Sequence, residues 1–248
     1  MKVAVLAASL GLSLLMTEFS HAAEIKAFFT GAARRSLETL IPQFERATGH
    51  KLVTDFELPL TLVKKVDAGE PFDVIILSFD VEGLVKQGKV VADSRTVLGR
   101  TAVGVAIRQG SPKPDFSTVE KFKRMLLDAK SFATSGQGSS GRYVDGLIDR
   151  LGIAEVKAKI KSGDSGSAGQ MLSKGEVDFV VSGLPPLIGT PNIEWLGEIP
   201  AEINSSVVFT GGVNVSAKEA EAGRALLKFL TTPAALAVWK ENGLEAAP

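Results

Sequence analysis

Val74-Ile75-Ile76-Leu77 is a run of four apolar residues, with turn-forming Gly69 and Pro71 shortly before it and Gly88 after it. Glycine and proline at such positions mark the ends of regular structure. A strand that is apolar at every position is buried on both faces. This pattern is typical of a parallel sheet covered by helices, whereas a half-exposed antiparallel strand alternates apolar and polar residues.

Alternating strands and helices are predicted on the N-terminal side of this run. Strand-like segments occupy residues 25–29 and 52–56, and helical spacing of apolar residues occupies 37–44 and 60–68. A short helix is predicted at 81–85. The first part of the chain therefore reads as successive βα units.

The second half of the chain continues the alternation of strands and helices, and its last part is predicted to return to the first group of strands. Its predicted strands are 102–107, 131–134, 177–181 and 207–215, and its predicted helices are 118–129, 142–151, 217–230 and 233–241. Residues 184–200 are interrupted by Pro and Gly. Because the strands form two groups, we predict two α/β lobes with mostly parallel sheets, joined by the strands at 102–107 and 207–215. The predicted divisions are 23–103 for the first part of lobe 1, 104–207 for lobe 2 and 208–248 for the return to lobe 1.

Composition excludes several classes of protein. The chain of 248 residues has 28 Lys and Arg, 28 Asp and Glu, and no Cys. Without Cys there is no disulfide framework, thiolate metal site or thiol nucleophile. A balanced charge argues against a nucleic-acid binder, whose affinity depends on many phosphate contacts. We expect a monomer with no metal and no cofactor.

The N-terminus has the pattern of an export signal. Lys2 is followed by an apolar run at 3–16 and by Ser20-His21-Ala22, small residues flanking a cleavage position. We predict cleavage after Ala22 and a periplasmic protein. The mature chain then keeps one histidine, His50, in an exposed turn after Gly49. Catalysis that depends on several histidines is therefore excluded.

Several stretches together carry a family resemblance. They are FTGAARRSL at 29–37, PQFERATGH at 42–50, AGEPFDV at 68–74, LVKQGKV at 84–90, GRY at 141–143, LGI at 151–153 and FLTTPAA at 229–235. In order and spacing they resemble the ModA-like solute-binding proteins, the molybdate-binding family. The resemblance implies a two-lobed type II periplasmic binding fold, a hinge of two strands, and a small ligand in the cleft that is passed to the permease of an ABC transporter.

The sequence departs from the family where molybdate would bind. Binders of this family hold the oxyanion with serine hydroxyls and backbone N–H groups. The two serine positions correspond here to Ala32 and to Pro59 or Leu60, and a closing tyrosine corresponds to Ser182. Each lost charge-assisted hydrogen bond is worth about 1.5–3 kcal/mol. We therefore expect a different anion.

The loops that begin the helices still favour an anion, because helix N-termini present unpaired N–H groups. Arg34 and Arg142, one from each lobe, could clamp an acid with two or more carboxylates. Arg34 and Arg35 are about 100° apart on a helix, so at most one faces the cleft. The predicted ligand-binding residues are Thr30, Gly31, Ala32, Arg34, Leu60, Thr61, Ser78, Ser139, Ser140, Arg142, Ser165 and Ser182.

Three functions remain open. The first is a solute-binding protein for a small anion, chiefly an organic di- or tricarboxylate. The second is a cofactor-independent isomerase on the same fold, because the ModA-like family includes a periplasmic aconitate isomerase, which moves a proton along an unsaturated tricarboxylate. Its base would be Asp55, Glu57 or Asp164. The third is a plain binder of molybdate, tungstate or sulfate.

Overall fold

The computed structural model of this chain describes residues 22–162 and 167–246, which form two five-stranded sheets with helices on their faces. The strands are β1 (Glu24–Thr30), β2 (Lys51–Glu57), β3 (Val74–Leu77), β4 (Thr96–Thr101), β5 (Val103–Arg108), β6 (Phe132–Thr134), β7 (Ile160–Ser162), β8 (Phe179–Gly183), β9 (Ile193–Glu198) and β10 (Val207–Val213). The helices are α1 (Arg34–Thr48), α2 (Pro59–Asp67), α3 (Glu82–Lys86), α4 (Val119–Asp128), α5 (Ser139–Arg150), α6 (Ser167–Ser173), α7 (Ala220–Leu230) and α8 (Pro233–Glu241).

The two sheets have the same plan. The first runs β2-β1-β3-β10-β4 and the second β7-β6-β8-β5-β9. In each, three strands are parallel, and a fourth, β10 or β5, pairs antiparallel with both of its neighbours. The two-lobed α/β fold is thus confirmed. In each sheet four strands run in one direction and only β10 or β5 runs against them, so the sheets are mostly parallel in strand direction and mixed in pairing.

The chain crosses between the sheets at two places. β4 lies in the first sheet and β5 in the second, separated only by Ala102, and the chain returns between β9 and β10. Such closely spaced crossings suit a hinge. The lobe divisions at 103–104 and 207–208 remain predictions.

Burial on both faces of β3 agrees with its uniformly apolar sequence. Val74 and Ile76 pack into the cluster that contains Leu37, Phe44 and Trp239 of α1 and α8. The other two residues of the strand, Ile75 and Leu77, pack on the opposite face in the cluster that contains Leu62 of α2 and Leu84 of α3. The second sheet is covered in the same way by α4 and α5 on one face and by α6 on the other.

Four elements of the structure were not predicted from the sequence: the short strands β4, β7 and β9 and the short helix α6. Of these, β9 lies inside the segment 184–200, which Pro and Gly interrupt. The predicted signal peptide lies outside the described residues except for its last residue, Ala22. Among the described residues, no helix has both the length and the apolar character of a membrane span.

Candidate functional site: a cleft between the two sheets

Several helix starts meet at one place between the sheets. Thr30 ends β1 and leads through a 3-10 turn, Gly31–Ala33, into α1. α2 begins with Pro59 at its first position, and α5 begins after Gly138. The first N–H groups of each helix have no carbonyl partner within the helix. The cleft therefore receives the positive ends of several helix dipoles.

A small cavity of about 30 Å³ lies at this meeting point. That volume is close to the share of one water molecule in the liquid. Of the described residues, those that line the cavity include no Asp, Glu, Lys or Arg. They are Thr30, Gly31, Ala32, Leu58, Pro59, Ser78, Thr101, Ser135, Gly138, Ser139, Ser140, Gly183, Pro185, Pro186, Val207 and Phe209. We call it the hydroxyl cavity.

A chain of hydroxyl groups crosses this cavity from one sheet to the other. The Oγ1 of Thr30 lies 3.3 Å from the Oγ of Ser78, and that Oγ lies 2.9 Å from the Oγ of Ser139. Thr30 ends β1 and Ser78 follows β3 in the first sheet, whereas Ser139 opens α5 of the second lobe. Thr30 and Ser78 are buried. Each hydroxyl has one rotatable O–H, so the chain can turn a donor toward a group in the cavity.

A second group of hydroxyls organises the start of α5. The Oγ of Ser140 lies 2.8 Å from that of Ser135 and 3.3 Å from that of Ser182. The Oγ of Ser135 also accepts a hydrogen bond of 2.9 Å from the N–H of Gly141. The N–H groups of Ser139 and Ser140 stand in the first turn of α5 and have no helical acceptor. Together these neutral donors can surround one anionic group, although no described residue that lines the cavity has a positively charged side chain.

A larger cavity of about 380 Å³ adjoins the first. The two share five lining residues, Gly31, Ala32, Leu58, Pro185 and Pro186. The larger one adds Arg34, Arg35, Glu38, Phe56, Glu57 and Ile188, and we call it the arginine cavity. Two adjoining cavities of different chemistry are therefore available to one ligand.

Comparison with known proteins identifies the family. Residues 25–245 match the family described as bacterial extracellular solute-binding protein. This chain belongs to that family. It is similar to aconitate isomerase of a Pseudomonas species, at 29% identity over 227 residues, covering 88% of this chain and 86% of the relative. Molybdate-binding protein ModA of Azotobacter vinelandii is 27% identical over 248 residues, 96% of each chain.

A solved structure agrees with the family assignment. The periplasmic molybdate-binding protein of Azotobacter vinelandii matches this fold with a TM-score of 0.72 at 19% identity, covering 90% of this chain and all of the other. The protein thus has the fold of the ModA-like periplasmic binding proteins. Members of this family deliver small anions to the permease of an ABC transporter.

In this solute-binding protein the cleft brings many of the predicted ligand residues together. Thr30, Gly31, Ala32, Ser78, Ser139 and Ser140 line the hydroxyl cavity, and Ser182 lies directly behind Ser140. Arg34 lines the arginine cavity, where its guanidinium lies 4.2 Å from the centre of the Phe56 ring and 3.7 Å from Glu38. Their roles in binding remain predictions.

Other predicted residues lie elsewhere. Arg142 is exposed, with its guanidinium 5.7 Å from the centre of the Phe79 ring, and it lines neither cavity. It is three residues after Ser139 and shares its side of α5, but its long side chain extends to the Phe79 ring and away from the cavities. Leu60 and Thr61 also line neither cavity; Leu58 and Pro59, at the very start of α2, take that place. Ser165 lies outside the described residues.

Several lining residues were missed by sequence reasoning. Ser135 and Gly138 belong to the loop that leads into α5, one of the helix-starting loops that favour an anion. Pro185 and Pro186 lie in the segment 184–200, which Pro and Gly interrupt and in which the sequence indicates no ligand residue. Thr101, Val207 and Phe209 come from strands next to the crossings, and only the pairing of these strands shows that they face the cleft.

The candidate bases differ in position. Asp55 is paired with Lys65, and this hydrogen bond raises the pKa of Lys65. Glu57 is half-buried and lines the arginine cavity. Asp164 lies outside the described residues. Within the described ranges, no group of three or more His, Asp or Glu is placed to hold a metal ion.

His50 is more than a solvent-exposed turn residue. Its Nδ1 accepts a hydrogen bond of 3.1 Å from the N–H of Ala23, and its ring is half-buried, with its centre 5.9 Å from that of the Phe44 ring. It thereby holds the start of β1 and lines neither cavity.

Proposed function

We propose that this protein is a monomeric periplasmic binding protein that takes up a small organic di- or tricarboxylate and presents it to the permease of an ABC transporter. The observation that carries the proposal is the pair of adjoining cavities. One offers hydroxyls and helix N-termini without charge, and the other contains two arginines, of which Arg34 lies beside Glu38, together with Glu57. A ligand with two anionic groups on a short carbon chain matches this pair.

The hydroxyl cavity suits a single carboxylate. Its neutral donors, Ser78 and Ser139 from opposite sides and the first N–H groups of α5, can surround the oxygens of one group. Such donors are preorganised by the fold, so little ordering is needed at the moment of binding. Its volume of about 30 Å³ leaves no space for the rest of an organic acid. The remainder would extend past Ala32 into the arginine cavity.

A tetrahedral oxyanion has less support. Ala32 and Pro59 lie in the wall of the hydroxyl cavity and carry no hydroxyl, and Pro59 also lacks a backbone N–H. A buried dianion needs each of its oxygens satisfied by donors. The missing donors are those that the resemblance assigns to molybdate binding, so we place a carboxylate ligand ahead of molybdate.

A thermal-unfolding screen of residues 23–248 tests this proposal. The compounds are fumarate, maleate, cis-aconitate, trans-aconitate, sulfate and molybdate. A ligand at 100 times its Kd adds about 2.7 kcal/mol to the free energy of unfolding. We expect stabilisation by at least one carboxylate. Stabilisation by molybdate or sulfate alone would contradict the proposal.

A matched pair of variants places the ligand. Ser139→Ala removes a hydroxyl of the cleft and should weaken carboxylate binding about tenfold, the value of one hydrogen bond to a charged group. Ser216→Ala removes an exposed hydroxyl far along the chain and should leave the affinity unchanged. Equal affinities of the two variants would argue against the hydroxyl cavity as the site.

An isomerase is the second candidate, and Glu57 is the observation that favours it. This carboxylate lines the arginine cavity, where it could remove a proton from a CH₂ group of bound aconitate and return it to the other end of the allylic system. The similarity to an aconitate isomerase supports the same reading. No cofactor is needed for such a shift.

NMR in D₂O separates the two candidates. A binding protein leaves cis-aconitate unchanged, whereas an isomerase produces the trans isomer. If turnover is seen, Glu57→Gln should abolish it and keep the affinity for aconitate. Turnover that survives in Glu57→Gln would exclude Glu57 as the base.

A further inference from the structure

Arg35 differs from the other arginine of its cavity by having no ionic partner. Arg34 has Glu38 at 3.7 Å and the Phe56 ring beneath it. Across residues 22–162 and 167–246, by contrast, no carboxylate lies within 4.0 Å of the Arg35 guanidinium, and that group makes no hydrogen bond. A guanidinium carries five N–H donors in a planar fork. Arg35 thus keeps its full capacity for an incoming carboxylate.

Gly189 holds this guanidinium at the opposite side of the cleft. Arg35 lies in the first turn of α1, whereas Gly189 follows the 3-10 turn Pro185–Leu187 of the second lobe. A Cβ added to Gly189 would lie 3.0 Å from the Cζ of Arg35 and closer still to its Nη1. Gly189 also has a φ of 83°, which favours glycine. The backbone therefore favours glycine here, and any side chain at this position would displace the guanidinium that packs on it.

The contact spans the two lobes. The turn that carries Gly189 packs against the 3-10 turn Gly31–Ala33 at the start of α1. The same two turns contribute Gly31, Ala32, Pro185 and Pro186 to the wall that the two cavities share. A group bound at Arg35 would therefore touch both lobes and lie next to the hydroxyl cavity.

We propose that Arg35, positioned by Gly189, binds the second carboxylate of the ligand and makes this protein select molecules with two anionic groups. This inference rests on the proposed function, since the first carboxylate is the one held in the hydroxyl cavity. Arg34 contributes less because Glu38 lies 3.7 Å from its guanidinium and competes for it. Glu57 is the other carboxylate of the cavity.

Ligand pairs that differ by one charge test the selection. Fumarate and maleate are compared with their half-amides by calorimetry, because each half-amide keeps the carbon skeleton and one carboxylate. The wild-type protein should bind at least one of the two diacids more tightly than its half-amide by about 10- to 100-fold, the range for two charge-assisted hydrogen bonds. Arg35→Gln should reduce this preference to less than threefold while the half-amide keeps its affinity.

Two further variants complete the experiment. Arg46→Gln makes the same charge change on the same helix at a site about 16 Å along its axis, and it should keep the wild-type preference. Gly189→Ala should displace the guanidinium and lower the preference as Arg35→Gln does. Circular dichroism tests whether Gly189→Ala is folded. If this variant is unfolded, the comparison of Arg35→Gln with Arg46→Gln decides the role of Arg35.

The outcomes separate the two proposals. A preference that survives in Arg35→Gln, or an equal loss for diacid and half-amide, would overturn the role of Arg35 while leaving the carboxylate site standing. A wild-type protein that binds none of these four compounds and none of the aconitates would overturn the proposed function and this inference with it.

Discussion

Asp73 illustrates at the scale of one residue how a buried charge can hold several elements together. Its Oδ2 accepts a hydrogen bond of 2.8 Å from the N–H of Lys26, and its Oδ1 accepts bonds of 2.8 and 3.1 Å from the N–H groups of Lys218 and Glu219. These partners belong to β1 and to the residues just before α7. The carboxylate is nearly inaccessible, at 4% exposure. Such a group is stabilising only because its oxygens are satisfied.

Replacing Asp73 by Ala should therefore destabilise the fold by about 3 kcal/mol, because it leaves three partly buried N–H groups without their acceptor. Urea denaturation measures the change. Asp67→Ala, an exposed aspartate at the end of α2, is the matched control and should change stability by less than about 0.5 kcal/mol. Equal destabilisation by the two variants would contradict the role given to Asp73.

At the scale of the element, the start of α5 depends on a glycine that tolerates no side chain. A Cβ at Gly141 would lie 2.6 Å from the N of Gly136 and 2.8 Å from the C of Ser135. Both are backbone atoms and cannot rotate away. The loop before α5 is thus packed directly on the first turn of the helix, which fixes where Ser139 and Ser140 present their hydroxyls.

Gly141→Ala should consequently lower both stability and carboxylate affinity, with a loss of about 1–3 kcal/mol in the free energy of unfolding from overpacking. Gly146→Ala on the same helix is the control, since its Cβ would meet nothing nearer than 3.5 Å. That variant should gain about 0.5–1 kcal/mol from helix propensity. Thermal unfolding measures the stability of the two variants and calorimetry their affinity for the carboxylate. Unchanged affinity in Gly141→Ala would show that the loop before α5 does not take part in ligand binding.

At the scale of the whole molecule, the two connections between the lobes are joined by the side-chain amide of Asn204, which pairs with the backbone N–H and C=O of one residue as a neighbouring strand would. The Oδ1 of Asn204 accepts a hydrogen bond of 3.1 Å from the N–H of Val103, and its Nδ2 donates one of 3.0 Å to the carbonyl of Val103. Val103 begins β5 at one crossing, and Asn204 precedes β10 at the other. The two connections are thereby fixed to each other where the lobes join.

Asn204→Ala should loosen this junction and weaken binding of every ligand by the same factor, without changing the preference for diacids. Asn204→Asp keeps the acceptor but turns a carboxylate oxygen toward the carbonyls of Val103 and Ile199, so it should loosen the junction as well. Small-angle scattering should show a larger radius of gyration for Asn204→Ala in the absence of ligand than for the wild type. A loss of affinity for diacids alone would contradict this prediction and would instead link Asn204 to binding in the arginine cavity.

Much of the fold could be predicted because its signals are local. Val74 to Leu77, the helical spacing of 37–44 and the turn glycines all act over a few residues, and these predictions agree with β3, α1 and their ends. β4 and β9 were not predicted, because each is an edge strand that contains Gly and polar residues. The strands they pair with also lie far away in the sequence. Of the predicted ligand residues, Thr30, Ser139 and Ser140 do line the hydroxyl cavity, because strand ends and helix starts can be located from local patterns, while their role in binding stays a prediction.

The sequence by itself determined the fold class, the family and the loops that supply the site, since periodicity, turn residues and helix N-termini are properties of neighbouring residues. Only the tertiary structure decided that Arg35 reaches Gly189 and that Arg142 lies on Phe79. The reason is geometric. Which guanidinium faces a cleft depends on how two sheets pack across a hinge, and that packing joins residues that are far apart in the sequence.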